Sequence, residues 1–132
     1  VIGSDQGLDL NGKLVNKAKN FDEAHEQLKN MSGKEHTLIT TTVVAKENNI
    51  IWKYVDRGKM KMRILDEEVI KEYLESVDEK ILGLVGVYAI EEEGIKLFER
   101  VGSDLFSIQG ISMIPLTQFL WDNGMLFESN GH

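Results

Sequence analysis

The sequence predicts a single α/β domain whose sheet contains several antiparallel strands. Three observations point there. Thr-, Val- and Ile-rich stretches flank polar turns, amphipathic segments begin at capping residues, and the 132 residues fall inside the span of one ordinary domain. The chain holds one proline, with no low-complexity segment, internal repeat or linker.

The elements follow in order. Val1-Ile2-Gly3 reads as the end of a buried strand, and Gly3 to Gly7 as a small-residue turn after it. Asn11-Gly12 lies between Leu8-Asp9-Leu10 and Lys13-Leu14-Val15, a strong hairpin signal because both turn residues tolerate positive φ. Asn20 offers an N-cap with Glu23 three residues on, and Phe21, Ala24, Leu28 and Met31 share one helical face. Ser32-Gly33 ends that helix. Thr37 to Ala45 and Ile50 to about Met62 form a long antiparallel pair across Glu47-Asn48-Asn49. Asp66 caps a helix striped by Val69, Ile70, Tyr73 and Leu74, with Glu67 and Glu68 favourably placed in its first turn. Leu82 to Tyr88, the acids Glu91 to Glu93, and Ile95 to Arg100 read as strand, turn, strand. Pro115 suits the first turn of a last helix carrying Leu116, Phe119 and Leu120, which Gly124 can stop.

Composition narrows the function classes. With 15 basic and 22 acidic side chains the net charge is −7, which opposes binding of a nucleic acid polymer or an anionic membrane through the surface as a whole. Zero cysteines exclude a disulfide scaffold, a thiolate zinc site and a cysteine nucleophile. No apolar run approaches the roughly 18 residues of a membrane span, and no secretory signal pattern is present, so the cytoplasm is the default location. Residues 1–130 read as the domain and Gly131-His132 as a tail or tag remnant, which leaves His132 outside any site.

Three places carry candidate chemistry. Asp5 offers a carboxylate that could bind a divalent cation or accept a proton from an attacking water; read blandly, it caps a turn. Lys17, in Asn16-Lys17-Ala18-Lys19 before a helix, could hold phosphate, or be ordinary solvated surface. Glu91, in Glu91-Glu92-Glu93-Gly94, either turns into a cleft or belongs to a polar turn. His25 and His36 read as ordinary surface or core histidines. Trp52, Tyr54, Phe98, Phe106 and Trp121 read as core or partial-core packing. Neither G-x-x-x-x-G-K-[ST] nor G-x-G-x-x-G occurs, and no serine sits in a G-x-S-x-G context, so nucleotide chemistry here needs another scaffold.

Taken together and in order, several segments resemble the Maf family of nucleoside triphosphate pyrophosphatases. They are Val1 to Gln6, Lys17, Ser32 to Thr37, Met62 to Asp66, Glu91 to Gly94 with Leu97 to Arg100, and Ile111 to Leu116. The resemblance implies a Maf-like α/β fold with a mixed sheet, flanking helices and a nucleotide cleft between two lobes. It implies hydrolysis of a nucleoside triphosphate to the monophosphate and pyrophosphate, assisted by a divalent cation, Mg²⁺ or Mn²⁺. Residue by residue, Asp5 matches the family's catalytic aspartate and candidate metal ligand, and Lys17 its phosphate-contacting lysine. Gln6 follows Asp5 as in the branch acting on 7-methyl-GTP, and Glu91 stands where that branch places a glutamate that governs base choice. The Asp-Lys-Ala-Gly segment of the pyrimidine-preferring branch is replaced by Gly83-Leu84-Val85-Gly86. The family's first strand and its Ser-rich, Arg-containing phosphate loop find no counterpart before Val1. Two expectations follow: a catalytically inactive nucleotide-binding remnant as the rival reading, and a sheet edge that a homodimer would cover.

Overall fold

The structure is a computed structural model that describes residues 1–129. The tail read at Gly131-His132 lies outside the described residues. Five strands form one sheet in the order β2-β1-β3-β4-β5, with β1 Ile2–Leu10, β2 Lys13–Leu14, β3 Glu35–Lys46, β4 Asn49–Met62 and β5 Phe98–Gly102. The helices are α1 Phe21–Met31, α2 Glu67–Ser76, α3 Leu105–Gln109 and α4 Met113–Asp122. Among the described residues every strand pairing is antiparallel, where the resemblance implied a mixed sheet.

Local chemistry sets most boundaries as the sequence predicts. Asn11 and Gly12 adopt φ of 53° and 82°, and Glu47 and Asn48 of 52° and 66°, the twist that two-residue hairpin turns require. Asn20 and Asp66 accept hydrogen bonds at 2.9 Å from the backbone N–H groups of Glu23 and Val69, capping α1 and α2. The strict alternation of β3 buries His36, Leu38, Thr40, Thr42 and Val44 on one face. α1 and α2 cover the apolar end of that face, and Leu8, Leu28, Met31, Leu38, Met60, Met62 and Ile70 make the core there. A smaller cluster of Ala18, Ala24, Ile81, Val87 and Ala89 lies beside it.

Three expectations are corrected. Gly3 to Gly7 form no turn: residues 2–9 pair with 44–37 of β3 in unbroken register, so the β-rich partner holds these small residues extended. Leu82 to Tyr88 form no strand, but lie across the short 3₁₀ segments Glu79–Gly83 and Val85–Val87. Gly86 and Val87 break extended geometry there with φ of 80° and 61°. A third 3₁₀ segment, Glu93–Leu97, precedes β5 and takes the first half of the last predicted strand.

The Gly86 backbone passes directly over β1. A Cβ at Gly86 would come within 2.7 Å of both Leu8 Cδ1 and Tyr88 Cε2. The change Gly86→Ala, which adds that clash to a left-handed φ, is expected to cost about 1–3 kcal/mol of stability, read as a lower urea midpoint at unchanged m-value.

Candidate active site

β1 brings two candidate residues to opposite faces of the sheet. Gln6 registers with Thr40 and Leu8 with Leu38, both on the covered face, so Gln6 points under α3. Asp5 registers with the half-exposed Thr41, and its carboxylate is exposed, with no hydrogen bond or ion pair to any described residue. Only Asp9 and Leu10 of β1 pair with β2, which leaves residues 2–7 as an edge facing no strand among the described residues.

Three of the four candidates meet at that edge. A cavity of about 200 Å³ is lined by Ser4, Asp5, Gln6, Lys17, Gly83, Leu84, Val85 and Gly110. Lys17 is exposed and is held in place by its neighbour Ala18, which is buried in the smaller apolar cluster. Glu91 lies in the turn before the third 3₁₀ segment, outside this cavity but next to it. It shares with Gln6, Leu84 and Val85 a second, smaller notch of about 30 Å³. Glu91 also borders a wider groove of about 540 Å³ with Asp78, Lys80, Glu92 and Glu93. A larger surface groove of about 600 Å³ between α1 and α2 contains none of the four candidates.

The charge distribution suits a polyanion at one end only. Among the described residues Lys17 is the one cation lining the small cavity, and the carboxylates gather at the Glu91 end. Among the described residues no three His, Asp or Glu side chains are placed to hold a metal ion. A hard divalent cation therefore fits Asp5 only if phosphate oxygens and water complete its shell, which is how Mg²⁺ is commonly bound.

The remaining candidates separate by burial. His36 is a core residue: its Nε2 lies 2.9 Å from Tyr88 Oη, and its ring packs at 5.8 Å from those of Tyr88 and Phe98. His25 stays on the surface, 2.8 Å from Glu67. Phe98 is buried and Trp52 stacks on Phe119 at 5.3 Å, as packing residues should, whereas Phe106 and Trp121 are about half exposed, 51% and 52%.

Sequence reasoning missed α3 and the residues it delivers, Gln109 and Gly110. A signal was present. Asp104 accepts from both the backbone N–H and the hydroxyl of Ser107, at 2.9 and 2.8 Å, and Gly110 with φ 126° follows the last turn.

A family model described as Maf-like protein matches residues 1–123. The chain belongs to the Maf family. It is 38% identical to a 7-methyl-GTP pyrophosphatase of Rhizobium meliloti over 126 residues, which are 96% of this chain and 63% of that protein. It is likewise 38% identical over 126 residues to a nucleoside triphosphate pyrophosphatase of Caulobacter vibrioides, with the same 96% and 63% shares. Identity reaches 43% over 116 residues with a 7-methyl-GTP pyrophosphatase of Bartonella henselae, 88% of this chain and 59% of that one. This Maf chain thus spans 59–63% of the length of these relatives. Among its described residues no helix is long and apolar enough to cross a membrane.

Proposed function

We propose that this Maf chain hydrolyses a nucleoside triphosphate to the monophosphate and pyrophosphate, with a guanine-type base, 7-methylated or not, at the Glu91 end of the site. The observation that carries the reading is the convergence of Asp5, Gln6 and Lys17 on one cavity, from β1 and from the loop before α1. Two of the three relatives described above are named 7-methyl-GTP pyrophosphatase, which supports the base.

The chemistry follows from the residue types. Asp5, exposed and unpartnered, accepts a proton from a water. The oxygen of that water bonds to the α-phosphorus, the bond from that phosphorus to the bridging oxygen of the β-phosphate breaks, and pyrophosphate leaves. Lys17 offsets charge on the phosphates as a mobile ammonium. Asp5 would also hold a divalent cation, which would supply further neutralisation of the charge on the leaving pyrophosphate. A carboxylate at position 91 accepts hydrogen bonds from base N–H groups and is favoured by the positive charge that N7-methylation adds.

The test is pyrophosphate release from 7-methyl-GTP, GTP, dTTP, UTP and CTP, with Mg²⁺ and with chelator. Release from the guanine nucleotides in Mg²⁺, lost in chelator, is the expected result. Nucleotide binding without release from any of the five would replace this reading by that of a binding-only domain.

A further inference from the structure

Gln6 cannot read a nucleobase through its amide N–H groups, because the protein uses them. Its Nε2 donates to Ile108 O at 2.9 Å, to Thr40 Oγ1 at 3.1 Å and to Ser107 O at 3.2 Å. Two hydrogens serve three acceptors, and two of those are main-chain carbonyls that can only accept, which fixes which end of the amide faces them. Thr40 donates in turn to Ser107 O at 2.8 Å. These carbonyls belong to the end of α3, where a helix runs short of intrahelical partners: Ser107 O also accepts from the Gly110 backbone N–H at 3.1 Å, whereas Gln6 is the hydrogen-bond partner found for Ile108 O among the described residues. Gln6 is therefore a side-chain cap that ties the end of α3 to β1 and β3.

The residue this cap locates is Gln109. It follows Ile108, whose carbonyl Gln6 holds, and precedes Gly110, which lines the Asp5–Lys17 cavity. A Cβ at Gly110 would lie 3.6 Å from Gln6 Oε1, so Gln6 borders both neighbours of Gln109. Gln109 itself is exposed, lines the notch shared with Glu91, and its carboxamide has no hydrogen-bond partner among the described residues. The Gln109-Gly110 pair thus spans the junction between the phosphate cavity and the Glu91 notch. With about 30 Å³ of space, that notch admits a group of one or two heavy atoms, and a base must stand at its rim and present an edge.

We infer that Gln109 is a specificity-determining residue that donates an amide N–H to the 6-oxo group of a purine, and that Gln6 is the positioning residue that places it. The inference rests on the proposed hydrolysis of a guanine-type nucleotide. The base chemistry matches the pair. A guanine edge offers one acceptor, O6, beside two donors, N1–H and the 2-amino group. A carboxylate can only accept, so Glu91 suits the donors and the neighbouring amide suits O6. Methylation at N7 leaves that edge intact. An adenine edge carries an amino group where O6 stands and a bare N1 acceptor where the carboxylate needs a donor, so the Glu91–Gln109 pair together rejects it.

The test compares the wild-type chain with Gln109→Leu, Gln6→Leu and the double variant, using GTP, 7-methyl-GTP and ATP. Pyrophosphate release gives kcat and KM, and calorimetry gives Kd independently of turnover. Gln109→Leu is expected to raise KM and Kd for both guanine nucleotides about tenfold and those for ATP less than twofold, with the loss falling mainly on KM. Gln6→Leu shifts the GTP-to-ATP ratio the same way, and the double variant shifts it no further than the larger single change, the signature of two residues acting as one unit. Gln109 is exposed, so its variant folds, and it decides the question alone if Gln6→Leu does not. An unchanged GTP-to-ATP ratio in Gln109→Leu, with an active wild type, overturns this inference and leaves the hydrolase reading standing. A wild-type chain that neither binds nor hydrolyses any of the three overturns both.

Discussion

Asp5→Asn is expected to lower pyrophosphate release by about 100- to 10,000-fold, the range that separates a positioned general base from its absence. That range corresponds to roughly 3–5 kcal/mol of barrier. The exchange keeps size and shape and removes only the acceptor that takes a proton from water. Folding is not at risk, since Asp5 is exposed and makes no side-chain bond to any described residue, and changes at such sites usually stay within about 0.5 kcal/mol. Binding behaves differently from turnover. An uncharged amide beside Lys17 no longer repels a triphosphate, so in chelator the nucleotide is held as tightly as by wild type or more so. A calorimetric titration alongside the release assay separates the two effects. Turnover within threefold of wild type in Asp5→Asn would remove the carboxylate from the reaction, whatever cation is present.

Where one segment carried its own boundary chemistry, the sequence sufficed to place it. Asn11-Gly12, Asn20, Asp66 and the Thr-rich alternation of β3 each act within a few residues, and the elements they predict stand where expected. The failures are non-local. Gly3 to Gly7 look like a turn by composition, and only pairing with residues 37–44 makes them a strand. Leu82 to Tyr88 look like a strand, and Gly86 bends because its backbone must pass over Leu8, more than seventy residues earlier. The site divides the same way. Asp5, Lys17 and Glu91 were legible as residue types and by resemblance, but their grouping was not: two share a cavity, and Glu91 reaches them only through the notch it shares with Gln6. Gln6 shows most clearly what a motif omits. Its identity follows from the Ser-Asp-Gln pattern, while its partners, Ser107 and Ile108, lie about a hundred residues away.

Lowering the pH from 7.5 to 4.5 is expected to remove about 2–3 kcal/mol of stability through His36 alone. The imidazole is 2% exposed, and burial pulls it from 6.5 down to about 4, against the opposing pull of the Glu35 carboxylate. One ring nitrogen is satisfied by Tyr88 Oη, and burial holds that phenol above its ordinary range, so it stays a neutral hydroxyl. The other nitrogen, Nδ1, has no partner among the described residues, and in either tautomer a second proton would leave a charged ring with an unpaired N–H among Tyr88 and Phe98. The sign follows from which state takes the proton first. Above pH 6.5 neither state binds it and His36 costs nothing. Between 6.5 and about 4 the unfolded chain binds a proton that the folded one refuses, so stability falls with pH by up to about 1.4 kcal/mol per unit. Below about 4 both states are protonated and the loss is complete. Other carboxylates titrate in the same window, so the comparison is with His36→Phe, which fills the space and cannot titrate. At pH 7.5 that variant is less stable than wild type by about 1–3 kcal/mol, because the Tyr88 hydroxyl loses its partner. As pH falls, wild type loses stability that the variant keeps, and the gap closes or inverts by pH 4.5. A gap that stays constant from pH 7.5 to 4.5 in urea titrations would show that His36 takes its proton in the folded protein as readily as in the unfolded chain.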